Sequence, residues 1–348
     1  MRQALSRALM RAWTGKGLLA VAMLPVAALY GALAALRRQL YRWNLLQSQA
    51  VPASVIVVGN VVAGGSGKTP TVIGLVRHLQ AQGWRVGVVS RGFGRKTQDC
   101  QEVTANSTAE EAGDEPLLIQ RASGAPVFVG RQRRQAAMAL LAAHPDTEVI
   151  VCDDGLQHYG LARDLEVCVF DDRGCGNGWL LPAGLLREPW PRRAVASAGQ
   201  SADRLLVLRT GGPALAGEFG ARRALTAFAT DRHGNARPLR ELTAPGKPPV
   251  HAVAGIARPG LFFTMLRQEG VPLAHTQALP DHDSFAHFQP PDPQAAQLLC
   301  TEKDASKLWR VAPEAMFVAL EQTIEPAFFA TVDKHLAAHR ATLAPRRL

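Results

Sequence analysis

Apolar residues in this chain come in short unbroken runs, each ended by glycine or by charge. Val55–Val58, Arg85–Ser90 (RVGVVS), Glu148–Asp154 (EVIVCDD), Glu166–Asp171 (EVCVFD) and Asp203–Leu208 (DRLLVL) are such runs, and PVFVG before Arg131 is another. Unbroken β-branched runs of this length predict strands buried on both faces rather than half-exposed ones. Between them the spacing changes. Val72, Ile73, Leu75, Val76 and Leu79 repeat at helical intervals, and Leu117–Arg121 is helix-like. Strands alternating with helices predict an α/β fold: a parallel sheet with helices on both faces. The stretch 210–213 (TGGP) reads as a linker. Beyond it the rhythm restarts, with strands expected at 250–256, 298–304 and 316–320 and a helix at 259–269. The expected division is an N-terminal segment over 1–50, a first lobe over 51–210 and a smaller second α/β lobe over 211–348.

One run has a different character. Gly17–Leu36 holds twenty residues without a charge. As one helix it would span about 30 Å, the thickness of a bilayer's hydrocarbon core. Basic residues flank it on both sides, with Trp13, Tyr41 and Trp43 where interfacial aromatics are expected, and Pro25 would kink it. The leading expectation is a membrane anchor helix. A helix lying in the interface is the alternative, because much of the run is alanine. A secretory signal fits poorly, since the apolar core is too long.

Charge sharpens this picture. The net charge of +10 would ordinarily suggest nucleic acid. Residues 1–50, however, carry seven basic side chains (Arg2, Arg7, Arg11, Lys16, Arg37, Arg38, Arg42) and no acid, and taking those seven away leaves +3 for the rest. The basicity belongs to the apolar segment, so a membrane surface is the expected partner and nucleic acid is not. No protein partner is expected either. The five cysteines are scattered, odd in number and form no CxxC pair, which favours a reducing compartment and no structural metal.

The chemistry gathers where strands end. Val55–Thr71 reads VIVVGNVVAGGSGKTPT: a strand, a glycine-rich loop, then a helix. That context defines a phosphate-binding loop. Gly64, Gly65, Ser66 and Gly67 let backbone N–H groups converge on an anion, Lys68 would reach the β- and γ-phosphates, and the Thr69 hydroxyl would hold Mg²⁺. The strict pattern places a glycine where Val62 stands. Asp153 and Asp154 end a later strand and are the expected Mg²⁺ partners of such a loop. His158 follows them; it suits an acid–base or substrate role and equally a structural one. Ser90–Arg95 (SRGFGR) is a glycine-rich loop at another strand end. Asp114-Glu115 precede Pro116 and fit either helix capping or a catalytic carboxylate. Arg131, Arg133 and Arg134 could stabilise transferring charge or could line a solvated face. Leu181–Pro189 reads as an ordered loop, and Leu279–Phe285 (LPDHDSF) is dense in titratable groups.

Taken in order, the apolar segment, VGNVVAGGSGKTPT, SRGFGR, GDEP, DDGLQH, LLPAGLLREP, LPDHDSF and TEKD resemble the tetraacyldisaccharide 4'-kinase family over nearly the whole chain. That family also lacks the glycine at the Val62 position. The resemblance implies a P-loop NTPase-type lobe and a second lobe with the substrate between them. It implies MgATP-dependent phosphorylation of the 4'-hydroxyl of a tetraacylated disaccharide 1-phosphate, giving lipid IVA. It also implies residence at the bacterial inner membrane with the catalytic lobes on the cytoplasmic side. Carried over by motif, Lys68 and Thr69 are the loop residues, Asp114 the catalytic aspartate and His282 its partner. Asp153 and Asp154 are the strand-end acids, His158 the neighbouring histidine, and Glu115, Arg134, Arg187 and Glu188 supporting charges. Two rivals are weaker. A partitioning-type regulatory ATPase would carry a signature lysine where Ala63 stands, and a kinase of soluble substrates would need no apolar segment.

Overall fold

The protein is described by a computed structural model covering residues 12–104, 106–192 and 204–343. The flanking residues Arg2, Arg7 and Arg11 lie outside the described residues. The strands are β1 Ser54–Gly59, β2 Val86–Ser90, β3 Gln101–Val103, β4 Val127–Val129, β5 Val149–Asp153, β6 Leu165–Phe170, β7 Leu205–Arg209, β8 Phe219–Thr230, β9 Ala236–Pro238, β10 Val250–Ala254, β11 Leu273–Ala278, β12 Gln297–Thr301 and β13 Met316–Ile324. They form one sheet in the order β11-β10-β12-β13-β8-β7-β6-β1-β5-β2-β4-β3, with β9 paired to β8. Most neighbours are parallel; β13 with β8, β8 with β9, and β3 with β4 run antiparallel.

The unbroken apolar runs are the central strands. All six residues of β1 are buried, as are all of β2, β5 and β6. Successive side chains of β1 point to opposite faces. Ile56 and Val58 join a core with Val72, Leu75, Val76 and Leu79 of the helix Lys68–Ala81. Val55 and Val57 join the opposite core with Ala136, Ala137 and Leu140 of the helix Arg133–Ala143. Two cores, one on each face of one sheet, explain why these strands tolerate no polar alternation.

The second lobe has its own cores around β10, β12 and the helices Pro259–Gln268 and Glu302–Leu308. The lobes are not sequential blocks, however. Helix Pro326–Leu343 follows β13 of the second lobe, yet Phe328, Val332 and Leu336 sit in the first lobe's core beside Leu75 and Leu79. His78 binds Asp333 at 3.0 Å and stacks on Phe329. The expected boundary near 210 does not mark where the first core ends, because apolar residues near the C-terminal end return to complete it.

The expected membrane-spanning helix over Gly17–Leu36 does not form. Among the described residues no helix is long and apolar enough to cross a membrane. The segment divides at Met23 into helices Leu18–Ala22 and Leu24–Arg42. Pro25, in the first turn of the second helix, cannot donate the N–H that would continue the first. That second helix runs on through Arg37, Arg38 and Arg42. Its apolar part, Leu24–Leu36, covers only about 20 Å at 1.5 Å per residue. One face docks on the first lobe. Ala20 and Ala27 are buried, a side chain on Gly31 would collide with Leu180, and Tyr41 packs on Tyr159. The other face leaves Leu18, Val21, Val26, Leu29, Leu33 and Leu36 exposed.

Candidate active site

The loop after β1 is held from outside by its carbonyls. Arg173 donates to the carbonyls of Ala63 at 3.2 Å and Gly65 at 3.1 Å, Thr210 donates to Ser66 O at 2.9 Å, and Asn60 donates to Gly64 O at 3.4 Å. In a trans peptide C=O and N–H point opposite ways, so carbonyls fastened outward turn their N–H partners inward, toward an anion. Gly64 and Gly67 have φ of +88° and +85°, which suits glycine. Val62 is fully buried and bridges to Leu186, with Ala63 N donating to Leu185 O and Arg187 N to Val61 O. An apolar side chain therefore serves at this position because the loop is paired to Leu185–Arg187.

The acids lie opposite. Lys68 Nζ is 3.4 Å from Asp154 Oδ1, and Arg187 reaches the same oxygen at 3.4 Å. Asp154 stands at φ +48°, a turn that carries it out of the strand. Burial alone would raise its pKa, but Lys68, Arg187 and Arg133 outweigh that and lower it. Asp153 is buried and accepts from Ser90 at 3.0 Å, while its Oδ1 has no partner. Burial and then the Asp154 charge raise its pKa to about 6. Among the described residues no three His, Cys, Asp or Glu side chains gather as a metal centre. A partnerless buried carboxylate oxygen beside a second carboxylate still suits a hard cation that takes its remaining ligands from phosphate and water.

A second cluster joins the lobes. Asp114 opens the helix Asp114–Ser123 after Gly113, whose φ is +90°. Its Oδ2 accepts from His282 Nδ1 at 2.8 Å and from Lys307 Nζ at 3.0 Å, both from the second lobe. Although burial opposes it, these two partners lower the Asp114 pKa. The bond to Asp114 raises that of His282. His282 itself sits at φ +62° in the LPDHDSF turn, and its ring packs 5.1 Å from that of Phe93 in the SRGFGR loop. Lys303 binds Glu115 at 2.7 Å and Asp281 at 3.5 Å. Glu115 lies close enough to Asp153 to raise its pKa, so both clusters share one field. Beside Asp114 and His282 opens a cavity of about 240 Å³, lined also by Phe93, Lys307 and Arg310.

Of the residues singled out in the sequence, Lys68, Asp153, Asp154 and Arg187 meet around the loop, and Asp114, Glu115 and His282 meet across the lobes. Ser66, Gly67 and Thr69 lie where the loop enters its helix. Arg134 is exposed and forms no ion pair with the described residues; Arg133 is the inward arginine, donating to the carbonyls of Asp153 and Asp154. Glu188 is buried beneath the site rather than facing it, bonded by Gln157 and Tyr159 and facing Arg38 and Arg192. His158 is half-buried, and burial together with Arg133, Arg37, Arg91 and Arg163 lowers its pKa to about 4, so it is neutral at pH 7. Sequence reasoning missed Lys303 and Lys307. TEKDASK carried their signal: lysines four apart share a face of the helix Glu302–Leu308. It also missed Asp171, Arg173 and Arg258, which no motif marks.

Fold and site together define a P-loop phosphotransferase with a second charged cluster drawn from two lobes. The chain belongs to the tetraacyldisaccharide 4'-kinase family: the family model described as tetraacyldisaccharide-1-P 4'-kinase matches residues 19–337. It is 55% identical over 335 residues to the tetraacyldisaccharide 4'-kinase of Acidovorax sp. (strain JS42), covering 96% of this chain and 95% of that one. The enzyme of the same name from Polaromonas naphthalenivorans is 52% identical, covering 94% of each. Among solved structures, the "apo" form of LpxK from Aquifex aeolicus in complex with ATP superposes with a TM-score of 0.76 at 26% identity, over 92% of this chain and all of that one.

Proposed function

We propose that the two lobes bind MgATP and transfer its γ-phosphate to the 4'-hydroxyl of a tetraacyldisaccharide 1-phosphate, giving lipid IVA and ADP. That the chain is a kinase of this type, working in lipid A biosynthesis, follows from its family. The observation that carries the residue assignment is the Asp114–His282–Lys307 contact beside a cavity large enough for a sugar ring.

Both bonds from the second lobe use Asp114 Oδ2. Oδ1 is left to accept the proton of the sugar hydroxyl as the O–P bond forms and the bond to the β-phosphate oxygen breaks. His282 and Lys307 hold the carboxylate in place and ionised. Lys68, Arg187 and the inward loop amides balance charge on the phosphates. Thr69, Asp153 and Asp154 would hold Mg²⁺, which when bound neutralises phosphate charge. The exposed apolar face of the N-terminal helices, with Trp43, Leu45 and Leu46, supports docking on a bilayer surface where an acylated substrate resides. We place the enzyme on the cytoplasmic face of the inner membrane, where ATP is present.

The test is transfer of label from γ-labelled ATP to tetraacyldisaccharide 1-phosphate in detergent micelles. A labelled bis-phosphorylated lipid that disappears with Lys68→Ala is expected. ATP hydrolysis without labelled lipid, rising with bare membranes, would instead mark a regulatory ATPase.

A further inference from the structure

We propose that Arg258 is a positioning residue for nucleotide binding: from the second lobe it fastens Asp171 and, through Asp171, holds Arg173 against the phosphate loop. The proposal rests on the ATP site described above and adds a control on it from the other lobe.

Asp171 follows β6 in the first lobe and is fully buried. Arg173 binds it with both its backbone N–H, at 3.1 Å, and its guanidinium, at 2.9 Å from Nε and 2.8 Å from Nη2. The rest of that guanidinium is spent on the loop, at Ala63 O and Gly65 O. A Cβ on Gly64 would stand 3.2 Å from Arg173 Nη1, so the glycine leaves room for this grip as well as for the anion. Arg258 precedes the helix Pro259–Gln268. Its Nη1 donates to Asp171 Oδ2 at 3.2 Å, and its two terminal nitrogens clasp Asp172, the Nη2 bond being 2.9 Å. Its neighbour Ala257 packs on the loop directly, 3.4 Å from where a Gly65 side chain would begin. Arg209 and Arg223 also face Asp171, so this carboxylate lies among four arginines.

A buried carboxylate shared by arginines of two lobes transmits position. Without Arg258, Asp171 loses a charge-assisted bond and Arg173 a fixed anchor. Arg173 then no longer holds the Ala63 and Gly65 peptides in the orientation that turns amides toward phosphate. The loop's affinity for triphosphate thus depends on a residue that touches neither nucleotide nor lipid.

The experiment titrates the full-length protein with a fluorescent ATP analogue and Mg²⁺, alongside steady-state kinetics. Arg258→Ala should weaken nucleotide binding about tenfold, the scale of one charge-assisted bond, with the KM for the lipid acceptor within about twofold. Arg173→Ala should weaken it at least as much, and the double variant no further than Arg173→Ala alone. Arg258→Lys should recover part of the loss. Wild-type affinity in Arg258→Ala, or losses that multiply in the double variant, overturns the proposal. If Arg258→Ala does not fold, Arg258→Gln decides on the same two outcomes. Failure of the wild type to bind the analogue would sink the ATP reading itself, a result distinct from either.

Discussion

In the proposed transfer Asp114 acts as a base, while Lys307 and the hydrogen bond from His282 hold it ionised. Lys307 and His282 lower its proton affinity, which weakens it as a base but fixes its free oxygen toward the acceptor. Positioning wins, because phosphoryl transfer gains more from alignment and charge balance than from proton affinity. Lys307→Met and His282→Ala should each lower kcat by about 10²-fold while leaving ATP binding within a fewfold, as single-turnover kinetics and nucleotide titration would show. A loss confined to ATP affinity would remove both from the acceptor side. His158 permits a pH test. Its folded pKa, about 4, lies below the ordinary 6.5, so the unfolded chain binds the extra proton between those values. Its contribution is complete above pH 6.5 and is lost as pH falls toward 4. His158→Gln should therefore show a shallower loss of thermal stability than wild type over that window, and identical slopes would refute the assignment. Sequence marked Lys68, Thr69, Asp153 and Asp154 because phosphate chemistry demands fixed types at fixed spacing, whereas Asp114 and His282 took their roles from the family resemblance and Lys307 was not marked at all. It could not choose Arg133 over Arg134, since one step along a helix turns a side chain by about 100° and only packing says which step faces in.

The elements divide along similar lines. The strands β1, β2, β5 and β6 were legible because burial on both faces leaves their runs almost wholly apolar, with Glu166 the one charge between their end residues, paired to Arg163 and Arg192. The twelve-residue β8 was not: FGARRALTAFAT carries two adjacent arginines and is only partly buried, so no apolar run marks it. The N-terminal segment misled for a physical reason. Hydropathy counts apolar residues, whereas a span needs them in one uninterrupted helix, and Pro25 and the docking face prevent that. The exposed face yields its own prediction. Leu29 and Leu33 are 63% and 60% exposed, so Leu29→Glu with Leu33→Glu should leave the melting temperature nearly unchanged. Binding to anionic vesicles, measured by co-sedimentation, should fall several-fold. Unaltered sedimentation would mean that this face is not the membrane contact.

For the whole molecule, the two lobes share one sheet and one of them borrows its last core helix from beyond the other. Phe328 is fully buried in the same core as Leu75 and Leu79 of the phosphate loop's own helix. Phe328→Ala should cost about 3–5 kcal/mol, and urea denaturation should show both lobes losing structure in one transition. Two separate transitions would show that the lobes are independent.

That borrowed helix bears on how the protein is made. The ribosome delivers the phosphate loop and its helix long before Phe328, Val332 and Leu336, and domains ordinarily fold as they emerge. Here the first lobe cannot seal its core until the second has been translated. A nascent chain therefore lacks part of the cover over that core through most of synthesis. The lobe that carries the phosphate loop stays unfinished, and a ready client for chaperones, until the lobe that follows it exists.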